Sequence, residues 1–417
     1  MVVYKFGGAS VKNAERVKNL KDIIVQNQEA RVVVLSAFGK TTNQLEELAA
    51  HIDRRDEPGF VEKLEEIRRY HDEVISGLLL PDDPVHGYIE EIFARIRQSF
   101  DMECSDYDFL YDQVVSFGEL LSTVVVSAYL VREGLNCRYV DIRKVLITDD
   151  LFREANIVWP SAELFVKEHL SPGEGEMVLT QGFIGGTPDG WSTTLGREGS
   201  DYTAAVIANI LEAERLVIWK DVPGVLNADP RYFSHTEKLD RISYQEAIEL
   251  AYYGAKIIHP KTIKPLQNKD IPLYVQSFVE PEKEGTCITQ DGHYDGDKPI
   301  FILKTDQMLL SILPRDFSFV VEEQLSRIYG LFARHRIKIN IMQNSALNFT
   351  ACVDNNSTRI PGLISDLSKH YRVLYNRGLE LITVRHYTEQ VLRDIQQGRH
   401  VLVEQRSRHT AQFLMGV

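Results

Sequence analysis

Two segments, MVVYKFGGAS at 1–10 and TLGREGSDYTA at 194–204, constrain this chain more than anything else in it. In the first, the short apolar run Val2 to Phe6 opens into a Gly-Gly turn, with Lys5 on its last stretch. In the second, a turn built on Gly196 and Gly199 carries Arg197, Ser200 and Asp201 into an apolar helical pattern. A buried strand that ends in glycines and hands over to a helix sets free amides and the positive end of the helix dipole at one point. Glycines let a polyanion approach the backbone there, so each segment predicts an anion site. A lysine at one and an arginine beside a carboxylate at the other imply chemistry between two anions.

The rest of the first two thirds fits the same architecture. Arg31 to Ser36, Met177 to Phe183, Leu216 to Trp219 and Ile271 to Val275 read as strands buried on both faces. Helix-period segments such as Val11 to Gln26, Thr42 to Ile52 and Tyr202 to Leu211 alternate with them. This alternation predicts an α/β fold, a mostly parallel sheet with helices on both faces. Residues 57–133 are helical in pattern and predict a helical insertion outside the sheet. The polar stretches EPEKEG at 280–285 and QDGHYDGDKP at 290–299 predict a linker, with a domain boundary near 285. Beyond it the order of strand and helix patterns is βαββαβ over 300–378, a ferredoxin-like α+β arrangement. A second copy begins at Leu379 and is expected to be truncated over 379–417, without its last helix and strand.

Composition narrows the partners. Forty-seven Lys and Arg against 60 Asp and Glu, a net charge of −13, argue against nucleic acid. Four scattered cysteines, Cys104, Cys137, Cys287 and Cys352, suit reduced thiols and no structural zinc, so no metal ligand set is expected. No signal peptide and no apolar stretch approaching a membrane span is read, which predicts a soluble, cytoplasmic protein.

Other motifs admit plainer readings. Phe38-Gly39-Lys40-Thr41 resembles the end of a Walker A loop, but Val34 stands where that loop requires its first glycine. No G-x-G-x-x-G follows a strand, which removes the argument for a dinucleotide enzyme. Ser36 and Thr42 are small hydroxyl donors beside a strand end. Glu119, inside the apolar run VSFGELLSTVV, is either a solvated-face residue or a buried carboxylate with a partner. The segment from Trp219 to Arg231 is either an edge loop or a nucleotide loop, and Lys256 either a surface lysine or a site residue.

Taken together, KFGGAS, GELLST, TLGREGSDYTA, KDVPGVLNADPR and YGAKIIHP resemble the aspartokinase family in order and spacing. The resemblance covers 1–285 as an amino-acid-kinase catalytic domain and continues through ACT-type regulatory domains. It implies transfer of the ATP γ-phosphoryl group, with Mg²⁺, to the side-chain carboxylate of L-aspartate, the step towards lysine, threonine and methionine. By position it puts Lys5, Gly7, Gly8 and Ser10 on the phosphate turn and Thr42, Glu119, Arg197 and Ser200 on the aspartate site. Asp201 falls on the acidic residue that orients the lysines. Lys220, Asp221, Leu226, Arg231 and Lys256 fall on the nucleotide site. A carboxylate nucleophile is already ionised near neutral pH, so no histidine base is needed. Positioning and charge stabilisation dominate such a transfer.

The chain departs from the family at several positions. Glu198 stands where glycine is frequent, Ala9 where threonine is, and Lys220 where some relatives have threonine. At Phe317 to Glu323, lysine-sensing relatives have a glycine turn, so lysine inhibition does not follow. An effector site is expected instead near Asn340, Asn344 and Ser345, at the interface of a homodimer or larger assembly formed by the ACT region. With no second dinucleotide-binding domain after residue 417, a fused aspartokinase–homoserine dehydrogenase is not expected. A kinase for another small carboxylate, or a silent amino-acid sensor, are the competing readings.

Overall fold

The computed structural model describes residues 1–255, 258–292, 298–316 and 319–416. They form two compact units. The first comprises Met1–Val225, Lys238–Ile248 and Lys256–Tyr294; the second comprises Leu226–Glu237, Glu249–Ala255 and Asp295–Val417.

The first unit carries strands β1 (Val2–Phe6), β2 (Ala30–Leu35), β3 (Cys137–Val140), β4 (Met177–Gln181), β5 (Ile184–Gly186), β6 (Ser192–Thr194), β7 (Arg215–Lys220), β8 (Arg241–Ser243), β9 (Leu273–Ser277) and β10 (Thr286–Thr289). Its helices are α1 (Ala14–Asn27), α2 (Thr41–Asp53), α3 (Glu57–Ser76), α4 (Val85–Gln98), α5 (Tyr107–Val115), α6 (Phe117–Arg132), α7 (Trp159–His169), α8 (Gly199–Ile210), the start of α9 (Tyr244–Tyr253) and α10 (Pro260–Gln267). Eight strands form one sheet in the order β3-β4-β2-β1-β7-β9-β10-β8, parallel except where β10 meets β9. β1 is buried at every position, which is why it reads as an unbroken apolar run rather than an alternation. One of its faces packs aromatics: Phe6 stacks on Trp219 at 5.9 Å, and Tyr4 meets the same indole edge-on at 5.5 Å.

Four sequence expectations change here. The Gly-Gly turn does not open directly into a helix: a 3-10 turn over Gly8–Val11 intervenes, and α1 starts after Asn13, whose side chain accepts the Arg16 amide. The residues at 280–285 are a turn joining antiparallel β9 and β10, both within the first unit's sheet, so the unit runs past the expected boundary to Tyr294. Residues 57–133 are not all outside the sheet, since α6 packs on β2, β3 and β4. It is apolar all round and therefore buried. Finally, residues Tyr107–Arg132 form a helical stretch of 26 residues with hydropathy 1.8, long enough to cross a membrane; 89% of its most apolar window is buried inside the protein.

The second unit is a six-stranded antiparallel sheet, β12-β13-β11-β14-β16-β15, built from β11 (Ile300–Pro314), β12 (Ile339–Ser345), β13 (Asn348–Asp354), β14 (Tyr371–Arg385), β15 (Val401–Arg406) and β16 (Thr410–Gly416). Helices α11 (Glu322–Arg334), α12 (Ile360–Ser368) and α13 (Glu389–Gln396) accompany it. The far half of β11, α11, β12, β13, α12 and the near half of β14 make one ferredoxin-like copy. Its core is Met308, Leu310 and Ile312 against Ile328, Phe332, Leu363 and Leu367.

The last strand of the first copy and the first strand of the second are one strand, β14, continuous through Gly378 at φ +68°. Its far half begins the second copy with α13, β15 and β16. The fourth strand position of that copy, expected to be missing, is filled by Ile300 to Lys304 of β11, paired with Leu381 to Arg385. Ile382, Val384, Phe413 and Met415 pack there with Leu392 of α13. The helix entrance at 317–318 and part of the 290–299 stretch lie outside the described residues.

Candidate active site

The order of the sheet locates the site. β2 lies on one side of β1 and β7 on the other, so the chain's direction of winding reverses at β1. Ligands of open parallel sheets bind outside the carboxyl ends of the strands at such a reversal. Gly7 and Gly8 leave β1 there, Ser36 leaves β2, and Lys220 ends β7. Gly8 must lack a side chain, because a Cβ would come within 2.7 Å of the Gly39 carbonyl oxygen and 2.9 Å of that of Ala37. The turn closes through the Ser10 amide on the Gly7 carbonyl at 2.9 Å and the Gly39 amide on that of Gly8 at 3.0 Å.

Lys5 and Lys220 converge on one carboxylate. Lys5 Nζ is 2.6 Å from Asp201 Oδ1, and Lys220 Nζ is 3.5 Å from Asp201 Oδ2. Asp201 lies in the first turn of α8 and is only 3% exposed. Burial alone would push its carboxyl up, but Lys5 and Lys220 outweigh that and hold it below its ordinary value. Two ammonium groups are thereby fixed at the strand ends beside the glycine turn.

The helix N-terminus of α8 reaches the same place. Ser36 Oγ donates to Ser200 Oγ at 3.0 Å. Gly182, after β4, permits this approach, since a Cβ on it would lie 2.6 Å from that of Ser200. Glu198 precedes the helix in the left-handed conformation, φ 54°, which glycine adopts without strain. That accounts for glycine being frequent at this position. Arg197, on the same turn, is exposed to solvent.

Glu119 is the buried alternative of the two readings, at 1% exposure in the first turn of α6. The Ala37 amide donates to its Oε1 at 3.4 Å, while Oε2 is buried with no hydrogen-bond partner among the described residues. Burial pushes its carboxyl up to about 8, although the Ala37 amide, Lys5 and the Thr42 hydroxyl pull the other way. An α-ammonium group is the kind of ligand such an acceptor lacks. Two supports carried no signal in the sequence. Gln181 Nε2, at the end of β4, donates to Thr123 Oγ1 at 2.8 Å, and the Thr123 hydroxyl donates to the Glu119 carbonyl at 2.7 Å.

Asp221 is exposed at the exit of β7. Leu226 and Arg231 belong to the second unit, where the Arg231 guanidinium is bound to Asp229. Lys256 lies outside the described residues. In the second unit the half-buried Asn340 amide is engaged within the protein: Oδ1 accepts from Lys304 Nζ at 2.8 Å, and Nδ2 donates to Gln307 at 2.8 Å and to Asp354 at 2.9 Å. Asn344 and Ser345 are exposed further along the same strand.

A sheet of this order with a lysine–carboxylate–lysine cluster at its reversal defines the class, and the profile of the Amino acid kinase family matches residues 1–277. Lysine-sensitive aspartokinase 3 of Escherichia coli (strain K12) is 34% identical over 397 residues, 92% of this chain and 86% of its own length. The crystal structure of E. coli aspartokinase III in complex with aspartate and ADP superposes with a TM-score of 0.84 at 30% identity, covering 100% of this chain and 96% of that one. The chloroplastic bifunctional aspartokinase/homoserine dehydrogenase 2 of Arabidopsis thaliana is 33% identical over 305 residues; the match spans 71% of this chain but only 33% of that protein. The chain belongs to the amino acid kinase family and, within it, to the aspartokinases.

Proposed function

We infer that this chain transfers the γ-phosphoryl group of ATP to the side-chain carboxylate of L-aspartate, giving 4-phospho-L-aspartate. The observation that carries the reading is the pair of lysines held by Asp201 beside a glycine turn, with the buried Glu119 carboxyl group, whose Oε2 has no hydrogen-bond partner among the described residues, at the same strand ends. Lys5 is assigned the charge developing between transferred and leaving phosphates, and Lys220 with Gly7, Gly8 and Ser10 the nucleotide phosphates. Glu119 is assigned the α-ammonium and Arg197 the α-carboxylate, whose planar geometry matches a guanidinium fork. Ser200 and Thr42 complete the aspartate contacts.

Mg²⁺ is proposed to arrive with ATP, held mainly by phosphate oxygens. No three His, Cys, Asp or Glu gather into a metal site among the described residues, and the chemistry it supplies is neutralisation of phosphate charge. A cytoplasmic location and assembly into at least a homodimer are proposed too. Edge strands β12 and β15, with Met342 exposed on the first and Leu347 exposed in the turn that follows it, support pairing with another copy. Phosphoryl transfer assayed across a panel of amino and dicarboxylic acids tests the substrate. Aspartate should be preferred by at least about 10²-fold, since losing one charged contact costs about that much in a buried site. Equal turnover of another carboxylate would overturn the reading.

A further inference from the structure

Asp112, on α5, is fully buried, and nothing in the proposed chemistry uses it. Its Oδ2 accepts from the Thr194 amide at 2.8 Å and from the Arg153 amide at 2.9 Å; Oδ1 accepts from the Thr194 hydroxyl at 2.7 Å. Three segments distant in sequence therefore meet at one carboxylate. Burial raises the group to about 6, with the amides, the hydroxyl and the Arg153 charge drawing it back. With three donors on its two oxygens it serves as a three-way acceptor.

What it holds is the approach to the substrate turn. Thr194 ends β6, and Arg197 follows three residues later. β6 is only three residues long and, among the described residues, forms a ladder only with three-residue β5, too little to fix itself. The neighbouring Gln113 grips the other end of β6, accepting from the Ser192 amide at 3.1 Å and donating to the Ser192 carbonyl at 2.9 Å. Arg153 is held in turn: it takes φ 69°, its guanidinium lies 4.2 Å from the Tyr111 ring, and the Ala155 amide donates to the Thr194 carbonyl at 3.0 Å.

We propose that Asp112 is a positioning residue for the amino-acid substrate, anchoring β6 and the Arg153 loop so that Arg197 and Ser200 are presented to it. The proposal rests on the reading that this turn binds aspartate. Truncation should therefore be felt in aspartate binding and not in ATP binding. An asparagine keeps one oxygen for the two amides and offers an N–H to the Thr194 hydroxyl oxygen, so it should restore the anchor without the charge.

Steady-state kinetics and thermal melts of the full chain test this, with Asp112→Ala, Asp112→Asn, Thr194→Val and Arg197→Ala. Asp112→Ala should raise the aspartate KM by about tenfold or more with the ATP KM within about twofold, and Asp112→Asn should recover most of it. A folded Asp112→Ala enzyme with an unchanged aspartate KM, or with both KM values raised equally, overturns the proposal. So does an asparagine variant as impaired as the alanine. If Asp112→Ala does not fold, Thr194→Val, which deletes one donor, decides: a rise of about threefold or more confined to aspartate supports the anchor, and no rise overturns it. Arg197→Ala separates the two levels. If it leaves the aspartate KM unchanged, the reading of the turn fails and the proposal with it. If it raises that KM while Asp112→Ala does not, only the positioning role falls.

Discussion

Lys5 Nζ lies 2.6 Å from Asp201 Oδ1 across 196 positions of sequence, joining the end of the first strand to the first turn of α8. Both side chains are buried, at 9% and 3% exposure, so the pair is an organising contact rather than a surface ornament. It fixes an ammonium group at the strand ends beside the glycine turn.

Replacing Lys5 by methionine should lower kcat by about 10²-fold or more, because charge stabilisation is felt mostly in the transition state. Asp201 retains Lys220 at 3.5 Å, so the variant should still fold cooperatively. Turnover and a thermal melt on one sample check both halves. Near-normal turnover would remove Lys5 from the mechanism.

Asp201→Asn breaks a buried pair from one side and should cost about 3 kcal/mol of stability at pH 7. The pH dependence has a definite sign. The folded carboxyl sits below its ordinary 3.8, so its contribution is present above that value and is lost as pH falls through the lower folded value. Denaturant melts should show a gap between parent and variant that holds from pH 7 to about 4 and closes below it. A gap that persists in strong acid would mean the loss is one of packing alone.

Glu119, raised to about 8 by burial, is largely protonated at pH 7 before substrate arrives. An α-ammonium favours the ionised form, so aspartate binding should release a proton, and affinity should rise with pH up to about 8. Calorimetry in two buffers of different ionisation enthalpy measures the release directly. Glu119→Gln should bind aspartate weakly and lose this pH slope. A parent enzyme that releases no proton would place the α-ammonium elsewhere.

Removing Arg197 or Glu119 by alanine should raise the aspartate KM by about tenfold or more while leaving that of ATP nearly unchanged, as each deletes one contact to a charged group of the amino acid. Comparable changes in both constants would show that the residue serves the nucleotide.

Control by lysine is expected to be weak. Glu322 and Glu323 stand exposed in the first turn of α11, and their charges would repel an effector carboxylate bound there. Light scattering should report at least a dimer at micromolar concentration, and an aspartate-kinase assay should show little inhibition by lysine. A monomer would overturn the assembly, and strong inhibition the reading of the two glutamates.

The strands, the glycine turns and most helices were legible in the sequence because each is a local matter. Period separates helix from strand, glycine marks where backbones must approach, and a run such as Val2 to Phe6 has one buried solution. Lys5, Asp201 and Lys220 were legible as types, each at the end of its own element. Other features were decided only by tertiary structure, because they depend on what lies opposite. Whether Glu119 faces water or a dry pocket is set by Ala37 and Thr42, from another segment. That 280–285 is a turn inside the sheet follows from β10 pairing with β9, and the second copy is completed by Ile300 to Lys304 pairing across to β14. Asp112 looks like any acid on a helix until Thr194 and Arg153 meet it. Local chemistry determined the elements, while burial and long-range hydrogen bonding, which no local pattern encodes, decided which polar groups face one another.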